Sequence, residues 1–277
     1  MKIAFILVRH PPSRLSPIVP EVMQRLRQRG ATVTEVMPDE GVTDLGALTV
    51  EHDLYVLKSG AETALSLAGA LHSLGATLLN PYPVAALCRD KVMVTRVLQA
   101  AGVPVPATYV TADPHRLAPL LAHSALVVKP HRGSQGYGVR IVRQPDELAA
   151  AAEQAGRPVY AQAYHQPDGL DRKLYCIGGD VFGVQRVWPV GSYADKLGRP
   201  FSVDSELRDI ALRCGRAVGI DLFGLDVVYS DGRPYVVDFS SFPGFKGVPD
   251  AAARLSDYIA RTAALATHPA ARLEPFS

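Results

Sequence analysis

Short apolar runs alternate with amphipathic stretches over residues 1–89, which is the pattern of a parallel sheet covered by helices. The apolar runs predict strands at 3–8, 32–36, 54–57 and 77–79, and the amphipathic stretches predict helices at 17–29 and 62–74. Gly30 and Gly75 follow the two helices at the position that helix-ending glycines favour. Residues 1–89 are therefore predicted to form an α/β domain.

The pattern changes after residue 89, where strands and helices no longer alternate regularly. Residues 90–157 predict a helix at 91–101, strands at 108–110 and 125–129, a strand that ends at 142, and a helix at 146–155. Residues 158–277 predict strands at 159–164, 173–177, 181–187, 222–229 and 235–239, with helices at 204–218 and 251–265. We therefore expect an α/β chain in which a central α+β subdomain (90–157) and a C-terminal subdomain (158–277) follow the first domain.

The composition is that of an ordinary globular protein, with 48% hydrophobic and 20% charged residues in 277 positions. The formal net charge of +2 is too small to favour a general polyanion-binding surface, so nucleic acid is not expected as a partner. Cys88, Cys176 and Cys214 lie far apart without the spacing of a zinc site, which favours a reducing cytoplasm. The first apolar run is shorter than a membrane span, so no membrane partner is expected.

A glycine-rich segment, Gly-Ser-Gln-Gly-Tyr-Gly at 133–138, joins two predicted strands. Its backbone can approach a ligand closely and present N–H groups to phosphate oxygens. The segment matches neither the P-loop nor the dinucleotide-binding fingerprint, and an ordinary hairpin loop explains it equally well. Lys129 precedes the segment, and Lys173 and Arg186 lie inside apolar runs, where cations need partners. A polyanionic ligand accounts for all three cations.

Two aspartates, Asp226 and Asp238, lie inside consecutive apolar strands that a short turn joins. If the loop has three residues, Tyr229 pairs with Arg233, Asp226 lies opposite Val236, and Asp238 is a diagonal neighbour on the same face. A two-residue loop would instead place the carboxylates on opposite faces. Carboxylates that converge on one face repel each other unless a hard cation such as Mg²⁺ lies between them. The alternative is that one aspartate caps a helix or pairs with an arginine.

The order of these features along the chain resembles that of the ATP-grasp superfamily, over residues 80–249. The series consists of Asp90-Lys91, Lys129 with the glycine-rich segment, Gln162-Ala-Tyr164, Lys173, Arg186, the two aspartates and the Phe-Pro-Gly-Phe that follows them. Within the superfamily, Lys-Pro-x-x-Gly-Ser-Gln-Gly-x-Gly at 129–138 resembles ribosomal-protein glutamate ligases and lysine-biosynthesis carrier ligases. The residues around the two aspartates, with Val-Gln-Arg at 184–186, are more similar to inositol-trisphosphate kinases.

The resemblance implies the ATP-grasp fold and a role for each matching position, with ATP and Mg²⁺, or Mn²⁺ in its place, as the cofactors. The residues that would contact ATP are Lys91, Lys129, Gly133, Ser134, Gln135, Gly136, Gln162, Ala163 and Tyr164. The segment 132–138 would cover the phosphates as a lid, and the backbone at 162–164 would border the adenine.

The resemblance also assigns residues to the transferred phosphate and the metal. Lys173 and Arg186 would act on the γ-phosphate. Arg132 is a candidate by position alone, since beside the glycine-rich segment it would either meet the γ-phosphate or the acceptor, or be exposed to solvent. The metal ligands would be Asp226, Asp238 and Ser240. Both families have asparagine where this chain has Ser240, and the shorter serine side chain puts one metal position in question.

Two activities fit these residues, and a nucleotide-binding module without turnover is the third hypothesis. The favoured activity is a carboxylate–amine ligase that phosphorylates a carboxylate and releases ADP and phosphate. The alternative is a small-molecule kinase. An inositol phosphate acceptor would need a dense cluster of cations formed by Lys58, Arg132, Lys173, Arg186, Lys196 and Arg199.

The acceptor is expected to be a small molecule or a peptide. The segment 9–14 follows the first predicted strand, at the end of the sheet where open α/β sheets bind ligands, and is our candidate for acceptor contacts. Because many members of the superfamily are dimers, the resemblance also suggests a homodimer.

Overall fold

The computed structural model describes residues 1–9, 18–133, 136–187 and 197–267, and these residues form three sheets. The first sheet is parallel, has the order β2-β1-β3-β4, and consists of β1 (Lys2–Ile6), β2 (Thr32–Val36), β3 (Leu54–Leu57) and β4 (Leu78–Leu79). Its helices are α1 (Ile18–Gln28), α2 (Glu62–Ser73) and α3 (Tyr82–Arg89). Gly30 and Gly75 end the turns after α1 and α2 with φ of +84° and +85°, a conformation that glycine adopts without strain.

The second sheet is antiparallel, has the order β5-β8-β6-β7, and consists of β5 (Thr108–Thr111), β6 (Leu126–Pro130), β7 (Arg140–Val142) and β8 (Val159–Ala163). Helix α4 (Lys91–Ala100) precedes it, and two 3₁₀ helices (Pro114–Ala122 and Pro145–Glu147) and α5 (Leu148–Ala155) connect its strands. Strand β8 follows the predicted boundary at residue 157, yet it pairs with β5 and β6. The second and third sheets therefore divide after Ala163, and the division into domains stays a prediction.

The third sheet is antiparallel, has the order β11-β10-β9-β12-β13, and consists of β9 (Leu170–Ile177), β10 (Asp180–Val187), β11 (Arg199–Phe201), β12 (Leu222–Ser230) and β13 (Arg233–Ser240). Helix α6 (Ser205–Val218) covers one face through a core that includes Leu174, Phe223 and Phe239. Helix α7 (Ala251–Thr267) packs with α1 and β1 against one end of the other face. The remainder of that second face carries the charged residues described below.

The predicted fold class, α/β with an α+β ATP-binding part, is confirmed. The sequence pattern did not predict α3, the 3₁₀ helix Pro114–Ala122 or the short strand β11. Among the described helices, none has the length and apolar character needed to cross a lipid bilayer.

Candidate active site

Three charged residues lie side by side across adjacent strands of the third sheet. Lys173 of β9 is directly opposite Asp226 of β12, which is directly opposite Asp238 of β13. Directly opposed residues share a face of a sheet. The Lys173 amine donates a hydrogen bond to Asp226 Oδ1, and the Lys91 amine, from the start of α4, donates to Asp238 Oδ1 at 2.6 Å. The two aspartates therefore converge on one face, and each is paired with a lysine.

Of the two loop lengths considered for the β12–β13 hairpin, the structure has the shorter. The loop has two residues, Asp231 and Gly232, both with positive φ, so the pairing of Tyr229 with Arg233 that a three-residue loop would give is wrong. A bulge at Val237 adds one residue to β13 and brings Asp238 directly opposite Asp226. The shared face that was predicted from a three-residue loop arises instead from a two-residue loop and a bulge.

The same bulge provides an acceptor for the predicted phosphate-binding lysine. Lys129 Nζ donates to the carbonyl oxygen of Val237 at 3.0 Å and to Gln162 Oε1 at 2.7 Å. Burial lowers the pKa of Lys129 to about 8, although the charge of Asp238 opposes this shift. Lys129 thus links the second sheet to the strand that carries Asp238.

Gln162 is 2% exposed, and the oxygen and the nitrogen of its side-chain amide each make a hydrogen bond. Its oxygen accepts from Lys129, and its Nε2 donates to Thr108 Oγ1 at 3.3 Å. We therefore interpret Gln162 as a support for Lys129 rather than as a direct contact to ATP. The neighbouring backbone N–H groups of Ala163 and Tyr164 donate to the carbonyls of Ala107 and Ala125, both at 2.8 Å. An adenine base would therefore have to contact atoms of this segment other than these two N–H groups.

The pKa values of the two aspartates shift in opposite directions because their surroundings differ. Burial raises the pKa of Asp226, and the nearby Lys173 offsets this only in part. Burial acts in the same direction on Asp238, but Lys91 and Lys129 outweigh it, so the pKa of Asp238 lies below its usual value. Asp238 is therefore the carboxylate that is held ionised most firmly.

The donor set on this face fits a hard divalent cation. Two facing carboxylates provide oxygen ligands of the kind that Mg²⁺ prefers, and Ser240 lies two residues after Asp238 on the same face. Within the described ranges, no group of three or more His, Cys, Asp or Glu side chains has a metal-binding arrangement. Two carboxylates suit Mg²⁺ nevertheless, since it commonly takes its remaining ligands from phosphate oxygens and water.

Ser240 is exposed and lies opposite Gly224, so a longer side chain would have room towards the solvent side. We expect Ser240→Asn to lower the Mg²⁺ concentration that gives half-maximal activity severalfold, because an amide oxygen reaches further than a hydroxyl. A titration of activity with Mg²⁺ measures this. Ser241→Asn, one residue past the end of β13, is the control, and an unchanged requirement in Ser240→Asn would count against Ser240 as a metal position.

Arg186 is held by an acid that the sequence pattern did not single out. Its Nη2 donates to Asp171 Oδ2, its cross-strand partner, and the two side chains are 14% and 13% exposed. Arg186 Nε is buried and has no hydrogen-bond partner among the described residues. Asp171 lies two residues before Lys173 on β9, so the alternation of a strand places both on the face of the aspartates. The two-residue spacing from Lys173 was the sequence signal that could have identified Asp171.

We expect Asp171→Asn to lower kcat roughly 10- to 100-fold while leaving the KM for ATP nearly unchanged, because it releases Arg186 without removing it. Steady-state kinetics at varied ATP measure the two constants separately. Asp168→Asn is a matched control, since Asp168 makes a bidentate pair with Arg172 on the opposite face. Equal losses in both variants would indicate a structural effect, and Asp171→Glu should restore part of kcat.

The base of the predicted lid lies beside the N-terminal helices. Arg132 Nε is 3.9 Å from Asp90 Oδ2, and Arg132 Nη1 is 4.0 Å from Glu62 Oε1. Its side chain is half exposed and is not joined to the group of Lys173 and Arg186. Gly133 and Gly136 lie in the described part of the loop, whereas Ser134, Gln135, Lys196 and residues 10–14 lie outside the described residues.

The dense cluster of free cations that an inositol phosphate would need is not formed by the described residues. Lys173 and Arg186 pair with aspartates, and Arg132 lies near two acids. Lys58 donates to a backbone carbonyl, and Arg199 is exposed on β11. The kinase alternative is therefore not favoured.

Comparison with known proteins identifies similar sequences and folds. The model of the RimK-like ATP-grasp domain matches residues 88–259. A probable alpha-L-glutamate ligase of Trichodesmium erythraeum is 26% identical over 192 residues, which are 64% of this chain and 64% of that protein. The ribosomal protein bS6–L-glutamate ligase of Escherichia coli is 26% identical over 189 residues, 63% of each chain. The chain thus spans less than two thirds of the length of these relatives.

A solved structure confirms the predicted fold. The crystal structure of a RimK domain ATP-grasp protein from Sphaerobacter thermophilus superposes with a TM-score of 0.75 at 21% identity, over 93% of this chain and 99% of that one. The ATP-grasp architecture that the order of motifs predicted is therefore present.

Proposed function

Because the chain belongs to the RimK-like ATP-grasp family, we propose that it is an ATP-dependent carboxylate–amine ligase. The observation that carries this proposal is the pair of facing aspartates, Asp226 and Asp238, flanked by Lys173, Lys91 and Lys129 inside the matched region. That arrangement suits a nucleotide triphosphate and a divalent cation.

Lys91 and Lys129 would bind the phosphates of ATP, and Asp226, Asp238 and Ser240 would hold Mg²⁺. Bound there, Mg²⁺ would neutralise charge on the phosphate oxygens. When phosphates and metal occupy the face, the lysine amines now paired with aspartates become available to phosphate oxygens. The pairs therefore keep both sets of charges compensated before ATP binds.

Lys173 and Arg186 would stabilise the charge that develops during phosphoryl transfer. A carboxylate oxygen of the acceptor attacks the γ-phosphorus, and the bond from that phosphorus to the bridging oxygen of ADP breaks. The amine then attacks the acyl carbon, loses a proton, and expels phosphate, which carries away one oxygen of the acceptor. Arg186 Nε, buried and without a described partner, is a free donor beside this reaction.

The relatives are named for L-glutamate as a substrate and, in one case, for a ribosomal protein. On that basis we propose that the amine is an amino acid, with L-glutamate first, and that the acceptor is a peptide or small-molecule carboxylate. ATP and Mg²⁺ are the proposed cofactors, and a homodimer and a cytoplasmic location remain predictions.

Trapping with hydroxylamine tests the proposal for any carboxylate acceptor, because hydroxylamine attacks every acyl phosphate. The protein is incubated with ATP, Mg²⁺, hydroxylamine and a cell metabolite extract, and new hydroxamates are sought by mass spectrometry. A ligase yields a hydroxamate of its acceptor together with ADP, and Asp238→Asn yields far less of both. Accumulation of a phosphorylated alcohol, with no hydroxamate, would refute the proposal in favour of a kinase.

A further inference from the structure

The N-terminal sheet has a topological switch point, the place at which open α/β sheets commonly form a ligand-binding crevice. The strand order β2-β1-β3-β4 places β2 on one side of β1 and β3 on the other. The connections that leave β1 and β3 therefore diverge, and ligands of open α/β sheets bind outside the carboxyl ends of strands at such a switch point. Lys58 follows β3 directly, and its backbone N–H donates to the carbonyl of Ile6, the last residue of β1. Lys58 thus lies at the switch point.

This crevice faces the loop that follows β13, the strand that carries Asp238 and Ser240. Lys58 Nζ donates to the carbonyl of Phe242 at 3.0 Å and lies 5.1 Å from the centroid of the Phe242 ring. Phe242 comes two residues after Ser240. Asn80, which follows β4, donates to the carbonyls of Leu222 and Ser241. Two side chains of the first sheet therefore hold the strands of the two aspartates close to the crevice.

The charge of Lys58 has no acidic partner in the described part of the chain. Its partners there are a carbonyl and an aromatic ring. The pocket beneath it is otherwise lined by uncharged residues, among them Phe5, Val22 and Phe245. Burial lowers the pKa of Lys58 to about 8, with no compensating charge. Among the segments outside the described ranges, residues 10–17, which follow β1, contain no Asp or Glu, whereas 188–196 contains Asp195 and 268–277 contains Glu274. A buried ammonium of this kind is stabilised when a ligand brings an anion.

A second cation lies against the same loop. The guanidinium of Arg89 packs on Gly60, where an added Cβ would be 2.9 Å from Arg89 Nη1. Arg89 Nε is buried and has no partner among the described residues. Lys58 and Arg89 therefore both lie at the loop 58–60.

We propose that this crevice, with Lys58 as its anchoring cation, binds a non-reacting carboxylate of one of the two organic substrates. The inference rests on the proposed ligase function. The reacting carboxylate belongs near Lys173 and Arg186, whereas the crevice recognises a second carboxylate on the acceptor or that of the amino acid donor. Lys58 would then determine which organic acids are accepted.

Lys58→Met tests this because it keeps the length of the side chain and removes the charge. Lys58→Arg keeps the charge, and Lys2→Met, at the exposed opposite end of the same sheet, is the matched control. Titration of the extract in the hydroxamate assay gives the half-saturating concentration for the acceptor. Titration of L-glutamate into saturating extract, with ADP release as the readout, gives the half-saturating concentration for the amine.

We expect Lys58→Met to raise the half-saturating concentration roughly 10- to 100-fold in one of the two titrations, as expected for a lost charge-assisted hydrogen bond. The titration that shifts identifies the source of the carboxylate. Half-saturation by ATP should stay within about twofold, Lys58→Arg should restore part of the affinity, and Lys2→Met should change nothing. Unchanged constants in both titrations, or an equal shift for ATP, would overturn the proposal.

Failure of the ligase proposal can be told apart from failure of the Lys58 site. If the wild type forms no hydroxamate, the ligase proposal has failed and the site is judged by binding. The melting temperature is then measured with L-glutamate and with succinate. Stabilisation of the wild type and Lys58→Arg, but not of Lys58→Met, supports a carboxylate site at Lys58, and equal stabilisation of all three overturns it.

Discussion

Asp238→Asn is expected to lower the turnover number by roughly 10²- to 10³-fold while the protein stays folded. Asp238 lies directly opposite Asp226, accepts a hydrogen bond from Lys91 at 2.6 Å, and has a pKa held below its usual value by Lys91 and Lys129. An amide has nearly the same shape but no charge, so the substitution removes the ionised carboxylate from the proposed metal site and leaves the strand intact.

The measurement for Asp238→Asn is ADP formation at saturating ATP and Mg²⁺, alongside thermal melting. Asp209→Asn is a suitable control, because Asp209 pairs with Arg213 on the outer surface of α6. Activity of Asp238→Asn within about tenfold of the wild type would contradict the proposal that Asp238 binds the metal.

Lys129→Met is expected to have an effect of similar size, roughly 10²-fold or more on kcat/KM for ATP. The amine of Lys129 is fixed between Gln162 and the bulge carbonyl of Val237, so it is already aimed at the face of the two aspartates. Lys129→Arg should retain a larger share of the activity, because it keeps the charge. Equal activity of Lys129→Met and the wild type would contradict a phosphate-binding role.

The pH dependence of Lys129 has a defined sign. Its pKa in the folded protein is about 8, below the usual 10.5, since burial disfavours the charged form. The amine loses its proton as the pH rises through about 8, so the affinity of the wild type for ATP should fall above that pH, and that of Lys129→Arg should fall less.

The buried charge of Lys129 also affects stability. Below about pH 8 it lowers the free energy of unfolding of the wild type, and this penalty disappears as the pH rises from about 8 to 10.5. Relative to the wild type, Lys129→Met should therefore lose stability over that range.

The sequence predicted those parts of the fold that local patterns determine. The parallel strands and the capped helices follow from runs of apolar residues and from end signals such as Asp90, whose carboxylate accepts hydrogen bonds from two N–H groups at the start of α4. Helix α3 was missed because it has only eight residues and follows a proline, which leaves little periodicity to detect. Strand β11 was missed because its three residues are too few to show the alternation of apolar and polar positions that predicts a strand.

The site was harder to predict, since its geometry depends on contacts between distant parts of the chain. The position of Lys173 beside Asp226 requires that β9 pair with β12, which no local pattern specifies. The bulge at Val237 cannot be read from the residue types, yet it decides whether Asp226 and Asp238 meet. Asp171 becomes a functional candidate only once β9 and β10 are paired, because its partner Arg186 lies on the neighbouring strand. Lys58 was named from the sequence only as one of a group of cations, and its contact with Phe242 is seen only in the folded chain.

The measurement that tests the central claim most directly is the source of the oxygen in the released phosphate. The protein is incubated with ATP, Mg²⁺, L-glutamate and a metabolite extract in water enriched in ¹⁸O, and the phosphate is analysed by mass spectrometry. A ligase takes the fourth oxygen from the acceptor carboxylate, so we predict unlabelled phosphate together with a new amide. Phosphate labelled with ¹⁸O would show hydrolysis of ATP by water, and a phosphorylated metabolite without free phosphate would show a kinase; either result would contradict the account.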